Sequence, residues 1–304
     1  MGGMWPLNSM LFIPAHKLEW VRKVARHGPD AVILDLEDAV PPALKDEARE
    51  LAREAVGLLH AMGIAPFVRI NGWHEGGGGD VARVTVPGLA GIVLPKAHDA
   101  SQIRELDVAL AHAEGGSAMP LGGVAIMPLP ETAQGLHDAR HLAAASSRCK
   151  GLLGLVGGPV SGDVSRAMGF LPSAEGLEQL YLASKMILDS RAGGAAFPMA
   201  SIIGTRLDDL DAVRRLCQRA KSLGFSGAVL IHPGHVAVAN AVFAPSRDEV
   251  DDALGLLRAL DEAEAAGQGA VSYRGQMIDH AMRGQARDIL AQARRRGLLA
   301  PGLG

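Results

Sequence analysis

Short apolar runs recur along the chain and alternate with longer segments of helical periodicity. Eight such runs follow one another, at residues 10–13, 31–34, 67–70, 91–94, 124–127, 151–155, 197–203 and 228–231. Continuous apolar runs of this length are typical of strands buried on both faces of a parallel sheet. Eight of them with helices between predict a (β/α)8 TIM barrel, in preference to an open doubly wound sheet.

The pattern changes after residue 245. Ser246 and Glu249 have the spacing of a helix capping box, and long helical periodicity follows. We therefore predict a barrel domain over residues 1–245 and a C-terminal helical segment over 246–304. A polar, glycine-containing connection at residues 267–276 could fold over a neighbouring surface. The glycines at 76–79 are expected to form a flexible loop, since no strand–GxGxxG–helix pattern surrounds them.

Composition narrows the class of protein. The 304 residues are 48% hydrophobic, enough for a large core, and 30 basic against 33 acidic residues give a net charge of −3. Without a basic arm, nucleic acid is not an expected partner. Two cysteines, Cys149 and Cys217, make no disulfide framework. No leader or membrane-spanning stretch is recognisable, so a cytoplasmic protein that does not bind membranes is expected.

Three carboxylates crowd the end of the second run. Asp35, Glu37 and Asp38 follow four apolar residues directly. They would repel one another unless a cation or a protonation shift relieves them, and a divalent metal is the simplest relief. Alternatively, these acids cap the amphipathic helix expected from Lys45 onward. This segment alone leaves both interpretations open.

Polar side chains also follow most of the other runs. In chain order they are Arg69 and Asn71, Lys96, Glu131 and Thr132, Asp163, and His232. Each has an ordinary structural explanation: Arg69 could pair with an inner acid, Lys96 could extend to solvent, and His232 could pack in a turn. Together, charges of both signs at one end of buried strands are costly unless they surround a ligand. They predict a functional site at the mouth of the barrel.

Glu131 and Asp163 are the predicted metal ligands. They follow different strands and could approach a cation from two directions, leaving coordination positions open. Hard oxygen donors of this kind suit Mg2+ or Mn2+, whereas the His and Cys spacing of a zinc site is absent from the sequence. Arg69 supplies a planar fork that a substrate carboxylate could meet in bidentate fashion.

The same residues carry a resemblance to a known family. The motifs are LFIP at 11–14, ILDLEDAVP at 33–41 with Lys45 and Ala48-Arg49, VRIN at 68–71, GIVLPK at 91–96, ETAQG at 131–135, IHP at 231–233, residues 240–245 and GQMID at 275–279. In this order they resemble the HpcH/HpaI aldolase and citrate lyase beta-subunit family over nearly the whole chain.

The resemblance implies a Mg2+-dependent TIM-barrel lyase that cleaves a 3-hydroxy-3-carboxyacyl thioester such as citryl-, malyl- or citramalyl-CoA. Glu131 and Asp163 match the family's metal ligands, and Arg69 matches its carboxylate-binding arginine. Asp279 matches an acid that, in the malyl-CoA lyase branch, the C-terminal segment of an adjacent subunit carries. A homo-oligomer, trimer or hexamer, is therefore expected.

We expect Asp279 to move the proton that completes the reaction, although it could instead cap the final helix. Lys96 and Glu37 are expected to act catalytically by orienting metal-bound water or neutralising the site. Asp38 and His232 are expected to contact the substrate.

Three departures keep rival functions open. Asn8-Ser9 stands where the family commonly has Arg-Ser, Pro14-Ala15 stands for Pro-Gly, and Gly162-Asp163 for Glu-Asp. The first two favour a class II aldolase that acts on free 2-oxo acids without CoA. A non-catalytic subunit that binds an acyl carrier is the third alternative, but it would need the metal ligands to be lost, and both are present.

Overall fold

The computed structural model describes residues 4–160 and 162–299. The chain divides into two compact units, Met1–Phe243 and Ala244–Gly304. In the part of the chain that the structure describes, no helix is both long and apolar enough to cross a membrane.

Eight parallel strands form the first unit. They are β1 (Ser9–Pro14), β2 (Ala31–Asp35), β3 (Ala65–Arg69), β4 (Gly91–Leu94), β5 (Ala125–Pro128), β6 (Leu153–Leu155), β7 (Met199–Ile202) and β8 (Gly227–Leu230). Their order is β5-β4-β3-β2-β1-β8-β7-β6. A parallel bridge between Ile126 and Cys149 joins β5 to the segment before β6. The sheet is therefore nearly closed, and the predicted (β/α)8 barrel is confirmed.

Helices surround the strands. They are α1 (Leu18–Val21), α2 (Lys45–Ala61), α3 (Gly77–Val84), α4 (Ala100–Gly116), α5 (Ala133–His137), α6 (Ala139–Ala144), α7 (Asp163–Met168), α8 (Leu177–Ala192), α9 (Leu210–Leu223) and α10 (Val236–Phe243). Along β2, Ile33 packs in one hydrophobic cluster with Phe67 and Met199, while Val32 and Leu34 pack in another with residues of the helices. Both faces of the strand are buried, which explains its continuous apolar sequence.

An ion-paired cluster supports the junction between β5 and β6. Arg148 donates to Glu114 through Nη1 and Nη2, each at 2.7 Å, and through Nε to Asp107. Glu114 is fully buried and also accepts the backbone N–H groups of Gly122 and Val124, both at 2.8 Å. Burial opposes ionisation of Glu114, but the bonds from Arg148 and the backbone outweigh it and lower its pKa.

The expectation of a flexible loop at residues 76–79 is wrong. Gly77–Val84 is a helix, although glycine is a poor helix former. Its start lies against the end of β3, where a Cβ on Gly77 would stand 2.7 Å from the carbonyl oxygen of Asn71. The Asp80 carboxylate accepts the backbone N–H of Asn71 at 2.7 Å. Tertiary contacts therefore override the weak local propensity.

Within its described residues, the second unit has two α-helices, α11 (Arg247–Ala265) and α12 (Arg283–Arg295), which pack around Val250 and Leu290. The predicted capping box is present: Glu249 N–H donates to Ser246 Oγ at 3.1 Å, and Ser246 N–H donates to Glu249 Oε2 at 2.7 Å.

The connection between α11 and α12 is more ordered than the sequence suggested. An antiparallel hairpin lies there, made of β9 (Ala270–Tyr273) and β10 (Gln276–Asp279). Its two turn residues, Arg274 and Gly275, have φ of 48° and 78°, as two-residue hairpin loops require. The predicted C-terminal helices are therefore confirmed, and the polar connection between them contains a β-hairpin that the sequence analysis did not predict.

Candidate active site

A cavity of about 420 Å3 opens at the carboxyl ends of the strands. Its charged lining residues, within the described ranges, are Asp35 at the end of β2, Arg69 at the end of β3, Glu131 after β5 and Asp163 at the start of α7. The structure thus brings together three residues that the sequence predicted for one site, namely Arg69, Glu131 and Asp163. This is the face where catalytic groups of (β/α)8 barrels are found.

Arg69 forms a bidentate ion pair with Asp35. Its Nε and Nη2 lie 2.6 and 2.7 Å from the two carboxylate oxygens, and Asp35 is almost completely buried. Burial opposes the charged form of Arg69, but the bonds to Asp35 outweigh it and raise the pKa of the guanidinium above its usual range. The guanidinium also lies over the ring of Phe12, 4.8 Å from its centroid.

This pairing limits how Arg69 could meet a substrate carboxylate. Its Nε and Nη2 already bind Asp35, so a ligand could reach only the remaining N–H groups on Nη1 and Nη2. Asp35 in turn accepts the backbone N–H groups of Glu37 and Ala39 at 2.9 and 3.1 Å. These bonds hold the turn after β2 in place, whereas no described side chain caps α2.

Glu37 lies between two cations. Its Oε1 accepts a hydrogen bond from Lys96 Nζ at 2.7 Å, and its Oε2 lies 3.0 Å from Nη1 of Arg69. Burial raises the pKa of Glu37, while the charges of Arg69 and Lys96 oppose that shift. Asp38 is exposed, with its Oδ1 3.8 Å from Lys96 Nζ. Basic side chains therefore relieve the crowding of the acids, without requiring a metal at this cluster.

Lys96 has an unusual backbone. Its φ is +49°, a left-handed conformation that non-glycine residues rarely adopt and that clusters at functional sites. In this conformation its N–H donates to Glu131 Oε1 at 3.1 Å while its side chain reaches Glu37. The hydrogen bond that Lys96 donates to Glu37, together with nearby negative charge, raises the pKa of Lys96 against the opposing effect of burial. Lys96 is therefore a stable cation and not a base.

Glu131 begins the segment that leads into α5. Burial raises the pKa of its carboxyl to about 7, aided by the charges of Glu37 and Asp163 and opposed by the N–H of Lys96. The next residue, Thr132, caps α5 by accepting the N–H of Gly135 at 3.0 Å.

A close backbone contact explains why the ETAQG motif ends in a glycine, Gly135. A Cβ at this position would lie 2.1 Å from the carbonyl oxygen of Ala97, so only glycine lets the start of α5 approach the loop after β4. This close approach sets Glu131 beside the backbone of Lys96.

Asp163 is exposed and is the first residue of α7. Before it, the loop after β6 packs against the loop after β7: a Cβ on Gly158 would lie 2.4 Å from the carbonyl oxygen of Gly204, whose own φ is +81°. This contact accounts for the glycine at 158. Ser161, in the same run, lies outside the described residues.

The donor set of Glu131 and Asp163 fits a hard divalent cation. Both residues line one cavity, and burial together with neighbouring negative charge raises the pKa of Glu131 to about 7. Among the described residues no group of three or more His, Cys, Asp or Glu side chains could hold a metal. Two oxygen ligands with open positions suit Mg2+, which usually keeps water or substrate oxygens.

Four other predicted site residues do not line the cavity, although Glu37 contacts Arg69 and the backbone of Lys96 bonds Glu131. Glu37, Asp38, Lys96 and His232 are not among the described residues that line the cavity. His232 Nδ1 accepts the N–H of Gly234 at 3.2 Å and so caps its own turn, the structural alternative considered for it.

Asp279 lies in the second unit, where it is exposed at the end of β10. It accepts the N–H of Ala281 at 2.9 Å and caps the short 3-10 turn before α12.

A hydrogen-bond network that the sequence did not reveal lies behind the acidic turn, residues 35–38 at the end of β2. Lys45 Nζ donates to the carbonyl oxygens of Leu36 and Glu37 at 2.5 and 2.6 Å and to Asn71 Oδ1 at 2.7 Å. Asn71 Nδ2 donates to Asp80 at 2.7 Å. Lys45 and Asn71 belong to the family motifs, but Asp80 follows the glycine run and gave no signal of its own.

Comparisons with known proteins cover almost the entire chain. A family model described as HpcH/HpaI aldolase/citrate lyase matches residues 8–233. A citrate lyase subunit beta-like protein of Deinococcus radiodurans is 33% identical over 94% of this chain and 96% of its own. A (3S)-malyl-CoA thioesterase of Cereibacter sphaeroides is 30% identical over 95% of both chains. The crystal structure of CitE from Mycobacterium tuberculosis with magnesium, acetoacetate and coenzyme A has a TM-score of 0.70 and 27% identity, covering 97% of this chain and 99% of that one.

Proposed function

Because the chain belongs to the HpcH/HpaI aldolase/citrate lyase family, we propose that it is a Mg2+-dependent carbon–carbon lyase. Its substrate would be a 3-hydroxy-3-carboxyacyl-CoA thioester of the citryl, malyl or citramalyl type, and its products an acyl-CoA and a 2-oxo acid. The observation that carries the proposal is the meeting of Glu131, Asp163 and Arg69 in one cavity. The magnesium and coenzyme A bound to the mycobacterial CitE protein support it further.

Glu131 and Asp163 would hold the cation. When bound there, Mg2+ supplies a Lewis acid for the oxygen atoms of the 2-oxo acid half of the substrate. Arg69 would donate its remaining Nη N–H groups to the substrate carboxylate, while Asp35 keeps the guanidinium in a fixed orientation.

In the reaction itself the C2–C3 bond breaks and its electron pair passes to the thioester, giving an enolate. The 3-hydroxyl loses its proton and C2 gains a proton. The cleavage therefore needs neither an oxidant nor a reductant. We assign delivery of the proton at C2 to Asp279 of an adjacent subunit in a homo-oligomer, trimer or hexamer. Lys96 and Glu37 would act by balancing charge beside Glu131.

A second candidate function is thioester hydrolysis. It is favoured by one relative, 30% identical to this chain, whose name is (3S)-malyl-CoA thioesterase. The two reactions release different products from one substrate: a lyase yields a 2-oxo acid and an acyl-CoA, whereas a thioesterase yields a free acid and the CoA thiol.

The test is a product balance. Purified protein is incubated with malyl-, citramalyl- and citryl-CoA and with free hydroxy-oxo acids, each with Mg2+ or with EDTA. We expect equal amounts of 2-oxo acid and acyl-CoA, dependent on Mg2+, with no free thiol. Thiol without 2-oxo acid would establish the thioesterase, turnover of the free acids alone would establish the CoA-independent aldolase, and no turnover would favour the acyl-carrier-binding subunit.

A further inference from the structure

The cavity is charged in one part and apolar in the rest. Apart from its four charged residues, its described lining is mainly aliphatic, with Leu153, Leu155, Leu182, Met186, Ile203 and Val229 among the contributors. Met186 and Val229 are almost completely buried. A carboxylate placed against such side chains would lose its hydration without gaining a partner.

Cations are scarce at this lining. Arg69 is the one basic residue among the described residues that line the cavity. Two of its nitrogens already bind Asp35, and the third, Nη1, lies 3.0 Å from Glu37. Lys96 lies outside the lining and is paired with Glu37. The cavity can therefore meet one substrate carboxylate through the remaining N–H groups of Arg69. A second carboxylate would find no further cation among the described lining residues, which apart from the three acids and Ser201 are mainly apolar.

We propose that the enzyme selects thioesters whose 2-oxo acid half carries a single carboxylate and an aliphatic substituent, and discriminates against a second carboxylate in that half. The inference rests on the proposed lyase function and narrows its substrate class. Leu155 at the end of β6 and Leu182 and Met186 on α8 determine the specificity, since these apolar side chains line the same cavity as Asp163.

The first experiment compares substrates that differ only at this substituent. Citramalyl-CoA carries a methyl group where citryl-CoA carries a carboxymethyl group. We expect kcat/KM for citramalyl-CoA to exceed that for citryl-CoA by about ten-fold or more, the lower bound of what one aliphatic group contributes in an apolar pocket. Equal or faster cleavage of citryl-CoA overturns the inference and leaves the lyase function intact.

Binding gives a readout that does not depend on turnover. Calorimetry with Mg2+ present should give a Kd for 2-oxobutanoate about ten-fold or more below that for oxaloacetate. If this preference is found but no thioester is cleaved, the proposed function fails and the selectivity of the cavity stands. Equal affinities would overturn the selectivity.

Variants on α8 test the assigned surface. Leu182→Lys places an ammonium in the cavity and should shift the citramalyl-to-citryl ratio toward citryl-CoA by about ten-fold, whereas Leu182→Met should leave it unchanged. Leu180→Lys is the matched control, because Leu180 lies on the same helix, is 44% exposed and does not line the cavity. A ratio unchanged in a folded Leu182→Lys protein, or shifted equally in Leu180→Lys, would overturn the assignment.

Discussion

At the scale of single residues, Arg69 shows how one side chain serves two partners. Its Nε and Nη2 donate to Asp35, and its Nη1 lies 3.0 Å from Glu37. A lysine could keep the charge but could not span both carboxylates, since an ammonium is a point donor and a guanidinium is a planar fork.

Arg69→Lys should therefore be damaging despite the retained charge. Losing charge-assisted hydrogen bonds worth about 1.5–3 kcal/mol should lower kcat/KM on the preferred thioester by about ten- to a hundred-fold. Steady-state kinetics measures the loss, and circular dichroism checks the fold. A specificity constant within two-fold of the parent would mean that Arg69 has only a structural role.

The raised pKa of Glu131 predicts that the affinity of the protein for Mg2+ depends on pH. Because burial raises its pKa to about 7, the proton competes with the cation below that pH, and affinity should rise as pH rises through about 7 with release of a proton. Calorimetry in buffers of different ionisation enthalpy measures both quantities. Glu131→Ala and Asp163→Ala should abolish binding and turnover without unfolding the protein.

Two controls accompany this prediction. Asp38→Asn alters an exposed carboxylate outside the cavity lining and should keep Mg2+ affinity near the parent value. The metal-free protein provides the second control. The pKa of Glu131 is raised from 4.5 to about 7 on folding, so neutral Glu131 contributes to the free energy of unfolding. This contribution should be fully present below about pH 4.5 and lost as pH rises through about 7. Mg2+-dependent turnover that survives either alanine substitution would contradict the ligand assignment.

At the scale of elements, the acidic turn after β2 is held from behind by α2 and α3. Lys45 on α2 bonds the turn's carbonyl oxygens and Asn71. Asp80 on α3 bonds Asn71 and accepts from Arg49 Nε at 2.6 Å. The position of Glu37 thus depends on how two helices pack, and not only on the strand that precedes it.

Asp80→Asn should therefore weaken both stability and turnover. Asp80 is fully buried and accepts three hydrogen bonds, so the loss should cost about 1–3 kcal/mol in the free energy of unfolding, and misplacement of the turn should lower kcat. Urea unfolding and kinetics measure the two effects. Asp46→Asn is the matched control, because Asp46 pairs with the same Arg49 at 2.5 Å but its side chain is 99% exposed. Equal effects of the two variants would refute the role of the buried network.

At the scale of the whole molecule, the question is where Asp279 acts. It lies in the second unit and caps its own 3-10 turn, a role that leaves one carboxylate oxygen for other partners. A C-terminal segment that closes over a neighbouring subunit's site would exclude water from the enolate.

Subunit mixing tests whether Asp279 is donated in trans. Asp279→Ala and Arg69→Ala should each be inactive alone, but random exchange should restore about a quarter of the sites, since each needs one intact group from each subunit. Activity of the mixture is the measurement, with mass spectrometry to verify mixed oligomers. Asp288→Ala, an exposed acid on α12, should be fully active. Mixed oligomers without activity would return Asp279 to a capping role.

Local patterns in the sequence were sufficient for the barrel. Each predicted apolar run overlaps one of the eight strands, because both faces of a barrel strand are buried and most positions along it are apolar. The capping box at Ser246 was predictable because its bonds join residues three apart. The convergence of Arg69, Glu131 and Asp163 followed from the rule that parallel strands present their carboxyl ends at one face.

Only the tertiary structure decided how these side chains are paired. Three features depend on contacts between separate elements. They are the ion pair of Arg69 with Asp35, the left-handed backbone of Lys96 and the helix that begins at Gly77. Such contacts follow from how the strands register and how the helices pack around them. The sequence determined which chemical groups reach the mouth of the barrel, because strand ends are local features. Their partners were decided by three-dimensional proximity, which no short stretch of sequence contains.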